Sequence, residues 1–375
     1  MKVAILESIV MPAGHEVEFD RILVEGIKDQ GHTPLFFVPQ KFPFKFNYNT
    51  GIEYLNGGEV VSYAGAGKLK KICLSFLREK RRIAWFNDAY NKTLQGKCDA
   101  IIIPTATYRY LRTLCNSKLK NSPIPVNFVF HGINPQEKQN FIKYAKKCEG
   151  YTNIRLKVIT LRDDFKEDHL SNVAMIEPPV FKPWDQSKIK AVKYNEPLKL
   201  GFFGQYRREK NLKFFLDAFV KAKFAIPVKL IVQGATAKPE DGAAFEKYMQ
   251  EYQQYSDIEF WHKNLIGAEW HEALLNVDAI IMPYAAERYR YHWSAMLFTA
   301  IGFYKPLLQS PEMNPEVLKS FFIGEALDMT SLESFTTQLE NFVNTFPENV
   351  AKYNAALKLA NDFYSQKKLV KNIID

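Results

Sequence analysis

The chemistry-bearing residues of this chain concentrate in two stretches. The first is Leu198 to Leu212, Leu-Lys-Leu-Gly-Phe-Phe-Gly-Gln-Tyr-Arg-Arg-Glu-Lys-Asn-Leu. Leu198 to Phe203 reads as a short buried strand, Gly204 frees the backbone to turn, and Lys210 is expected at the mouth of a helix from Asn211 to Lys223. A strand, a turn without side-chain bulk and a helix start make an anion seat, because unpaired N–H groups and the helix dipole point to one spot. Gln205, Arg207, Arg208 and Lys210 supply donors and positive charge there, although two adjacent arginines do not both aim at one ligand. The second stretch runs from Pro283 to Ala300 and holds Glu287, Tyr291 and Ser294. Ser294 is a favoured N-cap, so the N–H groups of Ala295 and Met296 behind it form a second anion seat. Two such seats with Tyr, Arg and His between them suit a nucleotide diphosphate.

Further candidates sit where other strands end. Gly14, His15 and Glu16 open a helix after the first strand. There Gly14 would let a ligand approach the backbone closely, with His15 and Glu16 beside it. Tyr108 and Arg109 follow the strand Asp99 to Pro104, and His131 ends the strand Pro125 to Phe130. Strand ends carry function in open α/β sheets.

These positions need a scaffold of alternating strands and helices. Mostly apolar runs at Lys2 to Val10, Thr33 to Val38, Asp99 to Pro104, Pro125 to Phe130, Leu156 to Leu161 and Val173 to Ile176 read as parallel strands buried on both faces. Glu16 to Gln30, Gln136 to Lys147 and Asp163 to Leu170 read as helices, and Glu59 to Tyr63 as a short strand. Four prolines from Pro178 to Pro197 mark a linker, after which the alternation restarts. Strands follow at Leu198 to Phe203, Val228 to Gln233, Ile258 to His262 and Ala279 to Pro283, separated by helices at Asp241 to Tyr255 and Glu269 to Asn276. Helices at Ser331 to Phe346 and Glu348 to Lys371 close the chain. The expected organisation is one α/β domain over 1–177, a linker over 178–197 and a second α/β domain over 198–350. A C-terminal helical segment over 351–375 is expected to cross back to the first domain. The fold class is α/β, two Rossmann-like doubly wound domains facing across a cleft.

Composition narrows the function further. With 375 residues and 47% hydrophobic content the chain can bury two cores. No apolar run approaches the roughly 20 residues of a spanning helix, and no signal-peptide pattern opens the chain, so a cytoplasmic protein is expected. Cys73, Cys98, Cys115 and Cys148 lack metal-site or redox spacing. The net charge of +9 calls for an anionic partner. Seven basic residues against the single Glu79 crowd Lys68 to Arg82, interleaved with Leu69, Ile72, Cys73, Phe76 and Leu77 at helical spacing. That amphipathic pattern fits peripheral contact with an anionic membrane, or else a surface helix packed on its own domain. No nucleic-acid module is recognisable, so nucleic acid is not an expected partner.

Together the two stretches resemble the donor domain of GT-B glycosyltransferases, most closely the family 4 (group 1) type. That family carries Gly-Arg-x-x-x-x-Lys-Gly and a Glu-x7-Glu element before Gly-x-Pro. Gly204, Lys210 and Pro306 match, while Gln205 replaces the loop Arg, and Tyr291 and Thr299 stand at the two Glu positions. The resemblance implies that Gly204, Gln205, Arg207 or Arg208, Lys210, Ser294, Ala295 and Met296 bind a donor diphosphate. It also implies that 1–177 is the acceptor-side domain and 198–350 the nucleotide-sugar donor domain. It further implies that Gly14, Glu287, Tyr291 and Thr299 lie near the donor nucleotide or sugar, that His15, Glu16, Tyr108 and Arg109 face the acceptor, and that His131 is catalytic. The implied reaction is transfer of a sugar from a nucleotide-diphosphate donor to a cell-surface glycan or lipid-linked saccharide, with retention of configuration. With no clustered carboxylates or Asp-x-Asp pair at a strand end, neither cofactor nor metal is expected. The alternatives are a non-catalytic relative that binds sugar nucleotide or glycan, and a nucleotide-sugar epimerase.

Overall fold

A computed structural model describes residues 1–10, 15–63, 65, 67–163, 165–285 and 287–375, apart from the side chains of residues 15, 68, 287 and 288. Gly14 therefore lies outside the described residues, and so do the side chains of His15 and Glu287. The chain forms two compact units, residues 1–178 with 366–375, and residues 179–365.

Unit 1 is built on a seven-stranded parallel sheet. Its strands are β1 (Lys2–Leu6), β2 (Thr33–Pro39), β3 (Gly51–Leu55), β4 (Ala100–Ile103), β5 (Val126–Phe130), β6 (Ile154–Ile159) and β7 (Val173–Ile176), in the order β3-β2-β1-β4-β5-β6-β7. Helices α1 (His15–Asp29), α2 (Lys68–Leu94), α3 (Tyr108–Cys115) and α4 (Pro135–Cys148) intervene. Strands β4 and β5 are buried at every residue, as continuous apolar runs require in a sheet covered on both faces. The register sets Val3 against both Pro34 and Ala100. Because the order reverses between β1 and β4, the carboxyl ends of these two strands form the place where doubly wound folds hold ligands.

Unit 2 repeats the plan with six parallel strands. They are β8 (Leu198–Phe202), β9 (Val228–Gln233), β10 (Ile258–Trp261), β11 (Ala279–Met282), β12 (Leu307–Gln309) and β13 (Gly324–Ala326), in the order β10-β9-β8-β11-β12-β13. Around them lie α5 (Leu212–Lys221), α6 (Pro239–Glu251), α7 (Ala268–Leu275), α8 (Ala295–Gly302), α9 (Pro315–Ser320), α10 (Leu332–Asn344) and α11 (Phe346–Phe363). Here the order reverses between β8, which opens the first chemistry-bearing stretch, and β11, which precedes the second. The proline-rich stretch packs into this unit: Val180 N donates to Tyr364 O, Phe181 N to Phe298 O and Val192 N to Asn354 Oδ1.

The structure departs from the sequence-based expectation at several elements. The strand beside β2 is Gly51–Leu55, and residues 59–63 form none. The expected helix Asp163 to Leu170 is reduced to one turn at Lys166–Asp168, ended by His169 in a left-handed conformation. Tyr108 and Arg109 open a helix, α3, packed by Tyr110, Leu111 and Leu114. The last expected helix breaks at Tyr364 and Ser365, and α12 (Gln366–Ile374) joins unit 1. There Leu369, Val370, Ile373 and Ile374 are buried against α1, β4 and β5. A Cβ on Gly26 of α1 would come within 2.5 Å of Val370, so only glycine permits this approach.

Candidate functional site

The site in unit 2 grows from the end of β8. Gly204 takes φ +102°, a conformation that strains any residue with a side chain. Its N–H donates to Gln233 Oε1 at 2.9 Å and its carbonyl accepts from Ala235 N, which ties the turn to the end of β9. Lys210 was expected at a helix mouth. Instead Arg208–Lys210 form a single turn, Asn211 adopts a left-handed backbone, and α5 starts only at Leu212. This folds Lys210 back beneath the glycine turn. It is only 6% exposed, its Nζ donates to Phe203 O at 3.2 Å, and the ammonium lies 4.5 Å from the centre of the Tyr284 ring. A Cβ at position 204 would stand 3.2 Å from that Nζ. Lysine and glycine are therefore coupled: the bare turn leaves the room that the ammonium occupies.

The remaining loop residues divide. Gln205 Oε1 accepts from Arg207 Nη2 at 3.0 Å, and Arg207 also lies 3.6 Å from Glu209. Arg208 points to solvent as an exposed side chain. Of the two arginines, Arg207 is the one held against the loop, by Gln205 itself.

At the end of β11 the second seat has an anchor that sequence reasoning missed. Ser294 is buried and caps α8, its Oγ accepting from Leu297 N at 3.3 Å. Its own N–H donates to Asn314 Oδ1 at 2.9 Å, and Asn314 Nδ2 donates to the carbonyls of Tyr289 and His292. Asn314 is buried, with a left-handed backbone just before Pro315, and it holds the loop from 289 to 294 from inside. An Asn-Pro pair is a turn signal, but nothing in the sequence ties it to a loop twenty residues upstream. Ala295 and Met296, half-buried, supply the first N–H groups of α8. Tyr291 is half-buried, whereas Thr299 is buried and spends its hydroxyl on Ala295 O at 2.7 Å. Tyr284 and Gln233 are two further residues of the site that the motif did not mark.

The corresponding place in unit 1 holds buried carboxylates. Glu7, just beyond β1, is 1% exposed, and its Oε1 accepts from Ser8 N and Ile9 N at 2.6 Å, while Oε2 has no hydrogen-bond partner. Burial pushes its carboxyl up to about 8. Asp20 on α1 is also raised, first by burial and then by the charges of Glu7 and Glu16. Glu16 was expected to face an acceptor. It is buried instead and pairs with Lys45 at 2.8 Å. His131 Nε2 lies 2.9 Å from Pro104 O, bridging the ends of β5 and β4, and its ring meets Phe19 of α1 edge-on at 4.5 Å. Glu7 and Asp20 carried no motif, only the oddity of an acid at the end of an apolar strand and another on the core face of a helix. Tyr108 stacks on Tyr144 and Arg109 pairs with Glu137, contacts that join α3 to α4. Among the described residues no group of three or more His, Cys, Asp or Glu could hold a metal ion, and no helix is long and apolar enough to cross a membrane.

No family model and no curated protein matches the chain. Solved structures do. The chain is similar to a sucrose-phosphate synthase from Thermosynechococcus elongatus at 12% identity and TM-score 0.66, covering 99% of this chain and 96% of that one. It is similar to HepE of Anabaena in complex with UDP and glucose, at 14% identity and TM-score 0.61, covering 100% and 97%. It is also similar to the catalytic domain of starch synthase IV from Arabidopsis thaliana bound to ADP and acarbose, at 10% identity and TM-score 0.67, covering 99% and 97%. The fold is thus the GT-B fold, with both parallel sheets included.

Proposed function

We propose that the chain is a glycosyltransferase that moves a sugar from a nucleotide-diphosphate donor to a glycan or lipid-linked saccharide acceptor. The observation that carries this reading is Lys210, a buried cation beneath a bare glycine turn at the switch point of unit 2. Lys210 Nζ meets Phe203 O and the rings of Tyr284 and Phe202, and a diphosphate at Gly204 would add an anion to a cation already drawn out of water. The HepE and starch synthase IV structures hold UDP and ADP, ligands of the kind proposed here.

In the reaction the anomeric C–O bond breaks and charge grows on the β-phosphate. Lys210, Arg207 and the N–H groups of Ala295 and Met296 would neutralise that charge, which is the main demand of the chemistry. This arrangement asks for no metal, so activity in excess EDTA should equal activity in magnesium. His131, held by Pro104 O, is the residue proposed to meet the donor sugar, and retention of configuration is proposed with it. Peripheral contact with an anionic membrane through α2 would bring unit 1 to a lipid-linked acceptor. A second reading, a relative that binds sugar nucleotide without turnover, is favoured by Thr299, whose hydroxyl is engaged within α8.

Thermal-shift screening against UDP, GDP, CMP and their sugars tests donor binding, because a ligand selective for the folded state raises the melting temperature by mass action. A stabilising sugar nucleotide that is hydrolysed or transferred supports the enzyme. Stabilisation without turnover across a panel of saccharide acceptors supports the second reading, and no stabilisation by any nucleotide refutes both.

A further inference from the structure

The two halves of α2 differ sharply in burial. Trp85, Phe86 and Ala89 are buried in the core of unit 1, whereas Leu69 is 83% exposed, Ile72 56% and Phe76 74%. These three, with Leu77, fall at i, i+3, i+7 and i+8, a single apolar stripe that no described part of the chain covers. Packing against its own unit therefore accounts for the second half of the helix only. Lys70, Lys71 and Lys80 are exposed on the same turns.

Beside the stripe lies a recess of about 270 Å³ lined by Tyr63, Ser75, Arg78, Glu79 and Arg82 together with Arg109 and Arg112 of α3. Four guanidinium groups line it beside one carboxylate; Arg109 also pairs with Glu137 at 3.3 Å on α4, and the lining carboxylate is already full. Glu79 accepts from Arg112 Nε and Nη2, Arg82 Nη1 and Thr113 Oγ1, at 3.0 to 3.3 Å. Arg82 is only 4% exposed, with its guanidinium 4.1 Å from the centre of the Tyr110 ring, and its Nε has no hydrogen-bond partner. A buried N–H left unpaired is costly, so a site that keeps one invites an acceptor. The acceptor that suits converging guanidinium forks is a phosphate. Ser75 lies three residues after Ile72, and Glu79 three after Phe76, so stripe and recess share an edge of the helix.

We propose that this recess binds the phosphate of an anionic membrane lipid while the apolar stripe enters the bilayer interface. A free phosphate compound would satisfy the arginines and leave Leu69, Ile72 and Phe76 in water, whereas a lipid covers both. The proposal rests on the membrane contact put forward above, and it adds a specific headgroup site that general basicity does not require.

The test uses the full chain in co-sedimentation with phosphatidylcholine vesicles containing either phosphatidic acid or oleic acid at matched surface charge. Wild type is expected to favour phosphatidic acid at least tenfold. The variant Arg78→Lys with Arg109→Lys keeps the charge but loses the forks, and should bind both vesicle types equally. Lys70→Gln with Lys71→Gln should weaken both types and keep the preference, and Leu69→Gln, Ile72→Gln and Phe76→Gln together should abolish binding. Circular dichroism of each variant confirms that it is folded. If wild type binds the two vesicle types equally, or the double lysine variant keeps the preference, the headgroup site is refuted while membrane contact stands. No wild-type binding to any vesicle refutes the membrane contact as well. Glycerol phosphate binding without vesicles as tightly as phosphatidic acid vesicles bind would assign the recess to a free phosphate and overturn the lipid.

Discussion

Lys210 and Gly204 act as one unit, and each can be tested through the other. Lys210→Ala should weaken nucleotide-diphosphate binding by about 1.5–3 kcal/mol, the range for a hydrogen bond to a charged group, as read by calorimetric titration. An unchanged dissociation constant would remove Lys210 from the site. Gly204→Ala should impair binding too, since its Cβ would meet both a φ of +102° and the Nζ at 3.2 Å. Glu7 gives a pH test. Its carboxyl has a higher pKa folded than unfolded, so the folded chain binds more protons between about 4.5 and about 8. The stability it contributes is complete below that window and is lost as pH rises through it. The melting temperature should fall across the window, and Glu7→Gln should flatten the fall. An identical slope in the variant would show that other groups carry it. Lys210 and Gly204 were legible in the sequence because their spacing is local, and Glu7 was not, because a single acid after an apolar strand has no period to reveal it.

At the scale of elements, the loop before α8 owes its shape to Asn314. The Asn314→Ala variant removes the bonds to Ser294 N, Tyr289 O and His292 O at a residue with φ +45°. We expect a loss of about 1–3 kcal/mol in unfolding free energy from the buried groups. Nucleotide affinity should fall with it. Asn314→Gly relieves the backbone alone, so recovery of affinity in that variant would show that the side-chain bonds are dispensable. Sequence patterning located the parallel strands well where apolar runs were continuous, as in β4, β5 and β11. It failed at residues 59–63, where alternation suggested a strand but β2 had already paired with Gly51–Leu55. It failed again at α3, where helical periodicity was too short to distinguish from a strand-end loop. In α2 the period was plain, yet burial reverses along a single helix, a property set by tertiary packing that periodicity does not contain.

At the scale of the molecule, the double α/β plan and its restart after Pro197 were legible, because each strand carries its own apolar run. A C-terminal segment crossing back to the first domain was expected, but the break at Tyr364 and Ser365 from which residues 366–375 join unit 1 carries no signal in the helical period. The energetic weight of that segment is large. Leu369, Val370, Ile373 and Ile374 are buried, and at about 1.5–3 kcal/mol each their sum rivals the roughly 5–15 kcal/mol that holds a whole domain. Ending the chain at residue 365 should therefore abolish or strongly lower the unit 1 transition in calorimetry and leave that of unit 2 in place. Two unshifted transitions would show that α12 is an accessory.

The same helix sets a schedule for biosynthesis. Unit 1 begins first on the ribosome, but the 187 residues of unit 2 must be made before its last helix exists. At about 5–20 residues per second that interval is roughly 10–40 seconds. Throughout it the seat of Val370 beside Gly26 stands open, so the first unit begun is the last to close, and the nascent chain spends that time with an apolar groove within reach of chaperones.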